Sequence, residues 1–65
     1  MHYEINVSKH GRHYFATHER SVLDIHKAAE LYRHFKLLFP ETEYTVSVIE
    51  FRSTGSSITH KMEDY

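Results

Sequence analysis

Three side chains with metal-binding chemistry recur at helical spacing in the middle of the sequence. His26, Glu30 and His34 are separated by four residues each, so a helix would present them as one stripe. Imidazole nitrogens and a carboxylate at that spacing are suitable ligands for Zn²⁺ or Ni²⁺. No fourth ligand is evident, and the sequence has no H-E-x-x-H pattern and no cysteine. We therefore interpret the stripe as a solvated helix face and predict no metal and no other cofactor.

Nucleophilic catalysis would require a serine close to a histidine and an acid. The candidate serines fall on a predicted strand, at a helix start or in a loop: Ser8, Ser21, Ser47 and Ser53. None is accompanied by a glycine-rich nucleophile turn, and two glycines in the whole chain exclude a phosphate-cradling loop in practice. The sequence therefore predicts no catalytic residues and a protein that is not an enzyme.

A cationic turn lies near the N-terminus, within the segment VSKHGRHYF. His10-Gly11 suits a two-residue type I′ hairpin turn, because both positions need positive φ, which glycine adopts freely and histidine more readily than most residues. The side chains around this turn are candidate phosphate contacts: Lys9, His10, Arg12 and His13. Phe15 and Phe51 would then be base-stacking platforms. However, 8 Lys and Arg against 9 Asp and Glu give a net charge of −1, which disfavours binding driven by phosphate charge.

The elements that position these residues can be read from the hydrophobic pattern. Residues 2–8 alternate between apolar and polar, which is typical of a half-buried strand, and residues 12–18 form its hairpin partner. Apolar residues at spacings of three and four then predict a helix over residues 22–39. Ser21 is the expected N-cap, and Pro40 ends the helix because it disfavours helical backbone in the preceding residue.

The C-terminal third of the chain returns to strand periodicity. Residues 44–52 alternate again and form a third strand. A tight turn at Thr54-Gly55 would place Ile58 opposite Phe51, so a short fourth strand at about 57–61 is an open alternative. The predicted fold is a single α+β domain, ββαβ or ββαββ, with a small antiparallel-rich sheet and one helix packed on one face. The expected strand order is 2-1-3, with any fourth strand beside the third.

One helix can cover only one face of such a sheet. If Val7 opposes Tyr14, the set beneath the helix is Tyr3, Ile5, Val7, Tyr14, Ala16, Val46 and Val48. Large apolar residues on the opposite, open face then mark an interaction site. The predicted partner-binding residues are the anchors Phe15, Ile49 and Phe51, with His13, Arg12 and Arg52 as a polar rim. Two alternatives stay open: these residues merely pad the second face, or a one-residue slip exchanges the faces.

Three segments carry a resemblance to a known class of proteins: INVSKHGRHYFATHERS, AAELYRHFKLLFP and YTVSVIEF. Their hairpin-helix-strand layout resembles the short accessory proteins of bacteriophages and mobile elements of enteric bacteria, among them inhibitors such as anti-CRISPR proteins. The resemblance is one of size, cysteine-free composition and layout over nearly the whole chain. It implies stoichiometric binding that blocks or redirects a host complex. Because this class shares no common site, no functional residue carries over.

The expected function is therefore a non-catalytic protein-binding module that inhibits or modulates a host protein complex, for example a CRISPR or other defence complex. A nucleic-acid-binding accessory protein that uses the hairpin tip is the first alternative, and a homodimeric structural protein is the second. No apolar run approaches the roughly 20 residues of a membrane span, and the N-terminus has no signal-peptide pattern. We expect no membrane partner and a bacterial cytoplasmic location.

Overall fold

The fold is described from a computed structural model, for residues 1–17 and 21–65. Its elements are β1 (His2–Lys9), β2 (Arg12–Ala16), α1 (Ile25–Leu38), β3 (Tyr44–Phe51), β4 (Gly55–Ser57) and a 3₁₀ helix, Thr59–Asp64. The described strands form one antiparallel sheet in the order β2-β1-β3-β4, and α1 packs across β1 and β3. The predicted α+β fold, with one helix on one face of a small sheet, is confirmed.

The β1–β2 hairpin has the predicted turn but not the predicted register. His10 and Gly11 have φ values of 51° and 79°, as a type I′ turn requires, and Lys9 pairs with Arg12. Further along, Ser8 pairs with His13 but Val7 pairs with Phe15, so Tyr14 is the extra residue of a β-bulge. Because one inserted residue exchanges the faces of a strand, the predicted pairing of Val7 with Tyr14 is wrong.

The end of β2 also differs from the prediction. β2 ends at Ala16, which pairs with Asn6 rather than with Ile5 as expected. The ladder continues through Thr17, whose hydroxyl accepts a hydrogen bond from the Ile5 N–H at 3.1 Å and whose own N–H donates to the Ile5 carbonyl at 3.0 Å. Position 18, the predicted end of this strand, lies outside the described residues.

The helix begins later than its periodicity suggested. Asp24 is the N-cap, and its carboxylate accepts a hydrogen bond from the His26 N–H at 3.0 Å, so the assignment of Ser21 to this role is wrong. Val22 is buried against the sheet, where its carbonyl accepts a hydrogen bond from the Tyr3 N–H at 2.8 Å. Val22 fitted the apolar spacing of the helix, but it lies in an extended segment that pairs with β1 before the helix begins. At the other end, Pro40 directly follows the C-cap Phe39, as predicted.

The fourth strand lies at Gly55–Ser57, nearer the N-terminus than the predicted residues 57–61. Gly55, not Ile58, faces Phe51 in the β3–β4 ladder, so the predicted pairing of Ile58 is wrong. Ile58 turns into the core instead, and its N–H donates to the Val48 carbonyl at 2.9 Å. The 3₁₀ helix that follows buries Met62 completely, so the C-terminal segment closes the core beside β4.

The hydrophobic core lies between α1, the sheet and the C-terminal segment. Its buried members are Tyr3, Ile5, Val7, Val22, Ala28, Ala29, Tyr32, Val46, Val48, Ile58 and Met62. The alternating residues of β1 and β3 are those predicted to lie beneath the helix. Tyr14 and Ala16 were also expected there, but the bulge removes them and brings Phe15 to the core side instead.

Candidate functional site

The six predicted partner-binding residues do not form one surface. Arg12, His13 and Phe15 lie at the hairpin end of the sheet, whereas Ile49, Phe51 and Arg52 lie at the other end. The separation follows from the β1 register, because Phe51 pairs with His2 while Arg12 pairs with Lys9. These two positions of β1 are roughly 23 Å apart at about 3.3 Å per residue.

Five aromatic rings meet at the hairpin end and form what we call the aromatic pole: Tyr14, Phe15, Phe35, Phe39 and Tyr44. The Phe15 ring contacts those of Phe35 and Phe39, with centroid distances of 5.5 and 5.4 Å. Phe39 also contacts Tyr44 at 5.1 Å in an edge-to-face arrangement. Phe15 consequently lies on the helix side of the sheet, and its predicted position on the open face is wrong.

Exposed apolar side chains occur within the aromatic pole, at Tyr14, and in the last turn of α1 just before Phe39. Tyr14 is 54% exposed although its ring contacts Phe39 at 5.9 Å, and in the last turn of α1 Leu37 is 83% and Leu38 is 68% exposed. The other large apolar side chains that are exposed in the described part of the chain are Met1, Leu23 and Tyr65. Sequence reasoning missed this surface. The signal for it was the run from Leu37 to Phe39. Three consecutive residues of a helix point in different directions, so they cannot all be buried against the same core.

Charges of both signs flank the aromatic pole. The Lys9 ammonium lies 5.4 Å from the centroid of the Tyr44 ring, and Arg12 is the direct cross-strand partner of Lys9. Glu41 and Glu43 lie in the turn between α1 and β3, which is held against the hairpin by a 3.4 Å hydrogen bond from the His10 N–H to the Glu43 carbonyl. Across residues 1–17 and 21–65, Arg52 and Glu50 form the one ion pair within 4 Å. Among the residues that the structure describes, Lys9, Arg12, Glu41 and Glu43 therefore have no ion-pair partner within 4 Å.

The proposed nucleic-acid contacts are not brought to one face. Lys9 and Arg12 lie on the helix side of the hairpin, since the ring of Tyr44 is beneath Lys9. His13 pairs with Ser8 and lies on the open side, while His10 occupies the apex of the turn. A single nucleic-acid strand crossing this end would meet two cations and one exposed ring, rather than the four side chains the sequence predicted.

The open face of the sheet is polar along most of β1, with one apolar island at the end opposite the pole. The island consists of Ile49 and Phe51, with the His2 ring stacked on Phe51 at 4.8 Å and an angle of 11°. Both side chains lean over Gly55, where an added Cβ would lie 2.8 Å from Phe51 Cε1 and 3.2 Å from Ile49 Cγ2. This packing leaves Ile49 and Phe51 half-buried.

Arg52, predicted as part of the rim, already has a partner at this end. Its Nε donates to Glu50 Oε1 at 3.2 Å, in an ion pair whose guanidinium is largely exposed. Glu50 lies opposite Tyr3 in the β1–β3 ladder. Burial raises the pKa of the Tyr3 phenol, and the negative charge of Glu50 raises it further.

The stripe of His26, Glu30 and His34 remains on the exposed surface of α1. The His26 ring contacts the Tyr65 ring at 5.5 Å in an edge-on arrangement. In the part of the chain that the structure describes, no group of three or more His, Asp or Glu side chains is placed to hold a metal ion.

Comparisons with protein families, curated proteins and solved structures found no match. Among the described residues, no helix is long and apolar enough to cross a membrane.

Proposed function

We propose that the protein is a non-catalytic protein-binding module whose main contact surface is the aromatic pole with Leu38. The observation that carries this proposal is the exposure of Tyr14 on a cluster of packed rings, with Leu38 exposed next to Phe39 in the last turn of α1. Removing a large apolar side chain from water is worth about 1.5–3 kcal/mol, so a partner that covers Tyr14 and Leu38 gains binding free energy from both. Tyrosine and arginine are also enriched among the residues that dominate interface energetics, and Arg12 lies two residues from Tyr14 in β2.

The resemblance to small bacteriophage accessory proteins supports a protein complex of a bacterial host as the target. On this proposal the protein acts stoichiometrically, by occupying a surface that the host complex needs, and it does so in the bacterial cytoplasm. A CRISPR or other defence complex is the example that the resemblance suggests. The apolar island of Ile49 and Phe51 is available as a second, smaller contact, because it faces away from the helix.

A nucleic-acid-binding role is the second candidate, because Lys9 and Arg12 border an exposed aromatic ring. Stacking on Tyr14 together with phosphate contacts from Lys9 and Arg12 is the arrangement that single-strand binders use. Glu41 and Glu43 lie at the same end and oppose a polyanion. The net charge of −1 also disfavours binding to a polyanion, so protein binding is the better-supported function.

The test is affinity capture from a bacterial lysate with three forms of the immobilised protein. They are the wild type, a pole variant with Tyr14→Ser and Leu38→Ser, and a matched control with Leu23→Ser, whose side chain is equally exposed at the other end of α1. We expect specific captured proteins that the control retains and the pole variant loses. A purified captured protein should bind the pole variant at least tenfold more weakly, which corresponds to about 1.4 kcal/mol.

Equal capture by the pole variant and the wild type would contradict the proposal. Loss of the captured material after nuclease treatment would support nucleic-acid binding instead. In that case Lys9→Glu with Arg12→Glu should abolish binding, and the affinity should fall steeply with added salt.

A further inference from the structure

A cleft of about 430 Å³ lies beside the first turns of α1, at the end of the helix away from the aromatic pole. It is lined by the segment that leads into the helix and by two helix residues one turn apart: Ser21, Val22, Leu23, Asp24, Lys27 and Leu31. We propose that this cleft binds the tail of a single-chain amphiphile with an anionic head, a medium-chain carboxylate, and that Lys27 pairs with the head. The proposed protein-binding function does not use this surface.

The walls of the cleft are mostly apolar. Val22 is buried, Leu31 is half-buried against the core, and Leu23 is 69% exposed. These three side chains lead from the core to the solvent and leave apolar surface in water, which a hydrocarbon chain would cover. The volume also falls within the range of small-molecule sites, which combine predominantly apolar walls with a few polar groups.

Polar groups of the segment that leads into α1 are already used within the chain. The Val22 carbonyl accepts a hydrogen bond from the Tyr3 N–H at 2.8 Å. The Asp24 carbonyl accepts one from the Ala28 N–H, and the Asp24 carboxylate accepts one from the His26 N–H, each at 3.0 Å. A ligand rich in hydrogen-bonding groups, such as a sugar or an extended peptide backbone, would leave its own polar groups unpaired against these walls. A hydrocarbon tail carries no such groups.

Lys27 provides the charge that selects the head group. It is exposed, and within residues 1–17 and 21–65 it has no ion-pair partner closer than 4 Å. Because its four-carbon stem is flexible, the ammonium can meet a carboxylate at the mouth of the cleft while the stem covers the tail. Asp24 opposes an anion only weakly, since its carboxylate is hydrogen-bonded at the positive end of the α1 dipole. The site therefore favours an anionic head over a cationic one.

The experiment is an NMR titration of the isotope-labelled full chain with sodium decanoate up to about 1 mM, which detects dissociation constants in the millimolar range and below. We expect saturable shifts of amide signals, centred on residues 21–31. Two matched ligands test the two parts of the proposal. Butyrate keeps the carboxylate but lacks the long tail, and decyltrimethylammonium keeps the tail but reverses the charge. Each should bind at least tenfold more weakly than decanoate.

Two variants test the residues that line the cleft. Leu23→Ser removes part of the apolar wall, and Lys27→Gln removes the charge. Each should weaken decanoate binding about threefold or more, as expected for one partly covered apolar side chain or one exposed ion pair. Lys36→Gln, which removes a lysine from the last turn of the same helix, is the matched control and should bind decanoate as the wild type does. All three positions are exposed, so circular dichroism should show an unchanged helix signal.

The absence of saturable shifts up to 1 mM would overturn the proposal, as would shifts centred on the aromatic pole. Wild-type affinity in Lys27→Gln, or equal binding of decyltrimethylammonium, would overturn the role of the charge. The lysate experiment is independent of this one. Leu23→Ser should retain protein capture but lose affinity for decanoate, whereas Tyr14→Ser with Leu38→Ser should do the reverse. Failure of either proposal therefore leaves the other standing.

Discussion

Phe15 lies directly opposite Val7 in the β1–β2 ladder, and its ring packs against Phe35 with their centroids 5.5 Å apart. The preceding residue, Tyr14, is the extra residue of the bulge and is 54% exposed. A phenylalanine ring has no polar atom to keep hydrated, whereas a tyrosine hydroxyl needs a hydrogen-bond partner or water. The bulge thus divides two adjacent aromatic residues between the core side and the surface of the pole.

This division predicts unequal costs for removing the two rings. Phe15→Ala is expected to lower the free energy of unfolding by about 2–4 kcal/mol, because it leaves a cavity beside Phe35 and Phe39. Tyr14→Ala should cost less than about 1 kcal/mol, since most of that side chain is already in water. Urea unfolding followed by circular dichroism measures both values. Equal costs would mean that the bulge does not bury Phe15 in preference to Tyr14.

The hairpin turn predicts an effect that depends on chirality. Gly11 has φ of 79°, and an added Cβ would meet no atom within 4 Å, so the cost of a side chain is purely conformational. Gly11→Ala should therefore lower the free energy of unfolding by about 1 kcal/mol. Chemical synthesis of the chain with D-alanine at position 11 is the matched control. The D-residue prefers positive φ, and its stability should equal or exceed that of the wild type. Loss of stability with both enantiomers would contradict this account of the turn.

The close approach of Gly55 to Phe51 predicts a local rearrangement of the apolar island. A Cβ at position 55 would lie 2.8 Å from Phe51 Cε1, so Gly55→Ala should displace this ring and separate it from His2. We expect the free energy of unfolding to fall by about 1–3 kcal/mol. We also expect a changed ring-current shift of the His2 protons in NMR spectra. Ser56→Ala, one residue along β4, is the control, because Ser56 pairs with Glu50 rather than with Phe51. Unaltered His2 shifts in the Gly55 variant would argue against the observed packing.

The raised pKa of Tyr3 predicts lower stability in alkaline solution. Burial, and then the Glu50 carboxylate, favour the neutral phenol in the folded state. The associated stability is fully present below the ordinary tyrosine pKa of about 10 and is lost as the pH rises through the raised value. The free energy of unfolding should therefore fall above about pH 10, and less so in Tyr3→Phe. Tyr14→Phe, at an exposed position, should keep the wild-type slope. Identical slopes in all three proteins would exclude Tyr3 as the source.

Features that depend on neighbouring residues were predictable from the sequence. The type I′ turn needs only residues that tolerate positive φ, which His10 and Gly11 provide. The alternation in β1 and β3 identified their buried residues, since period two leaves few choices once one face is covered. Pro40 ended the helix where expected, because its ring acts on the residue before it. From these features the fold class and the strand order followed.

The position of the bulge was decided by packing between distant parts of the chain. Both registers of β2 leave an aromatic residue opposite Val7, and the alternation of apolar and polar residues does not decide between Tyr14 and Phe15 in that position. Phe35 and Phe39 decide between them, because their rings pack against the aromatic side chain that lies on the helix side of the sheet, which is Phe15. In the same way, Val22 and Ile58 each had a plausible place in the predicted helix or strand, but both are buried at the edges of the core.

The candidate surface followed from that same packing. With the bulge at Tyr14, the predicted set of anchors separates into Phe15 at the pole and Ile49 with Phe51 at the island. The sequence by itself determined the turn, the alternating strands and the end of the helix, because these depend on backbone preferences of consecutive residues. Only the tertiary structure decided which aromatic side chains are exposed, because their burial depends on packing against residues that are distant in the sequence.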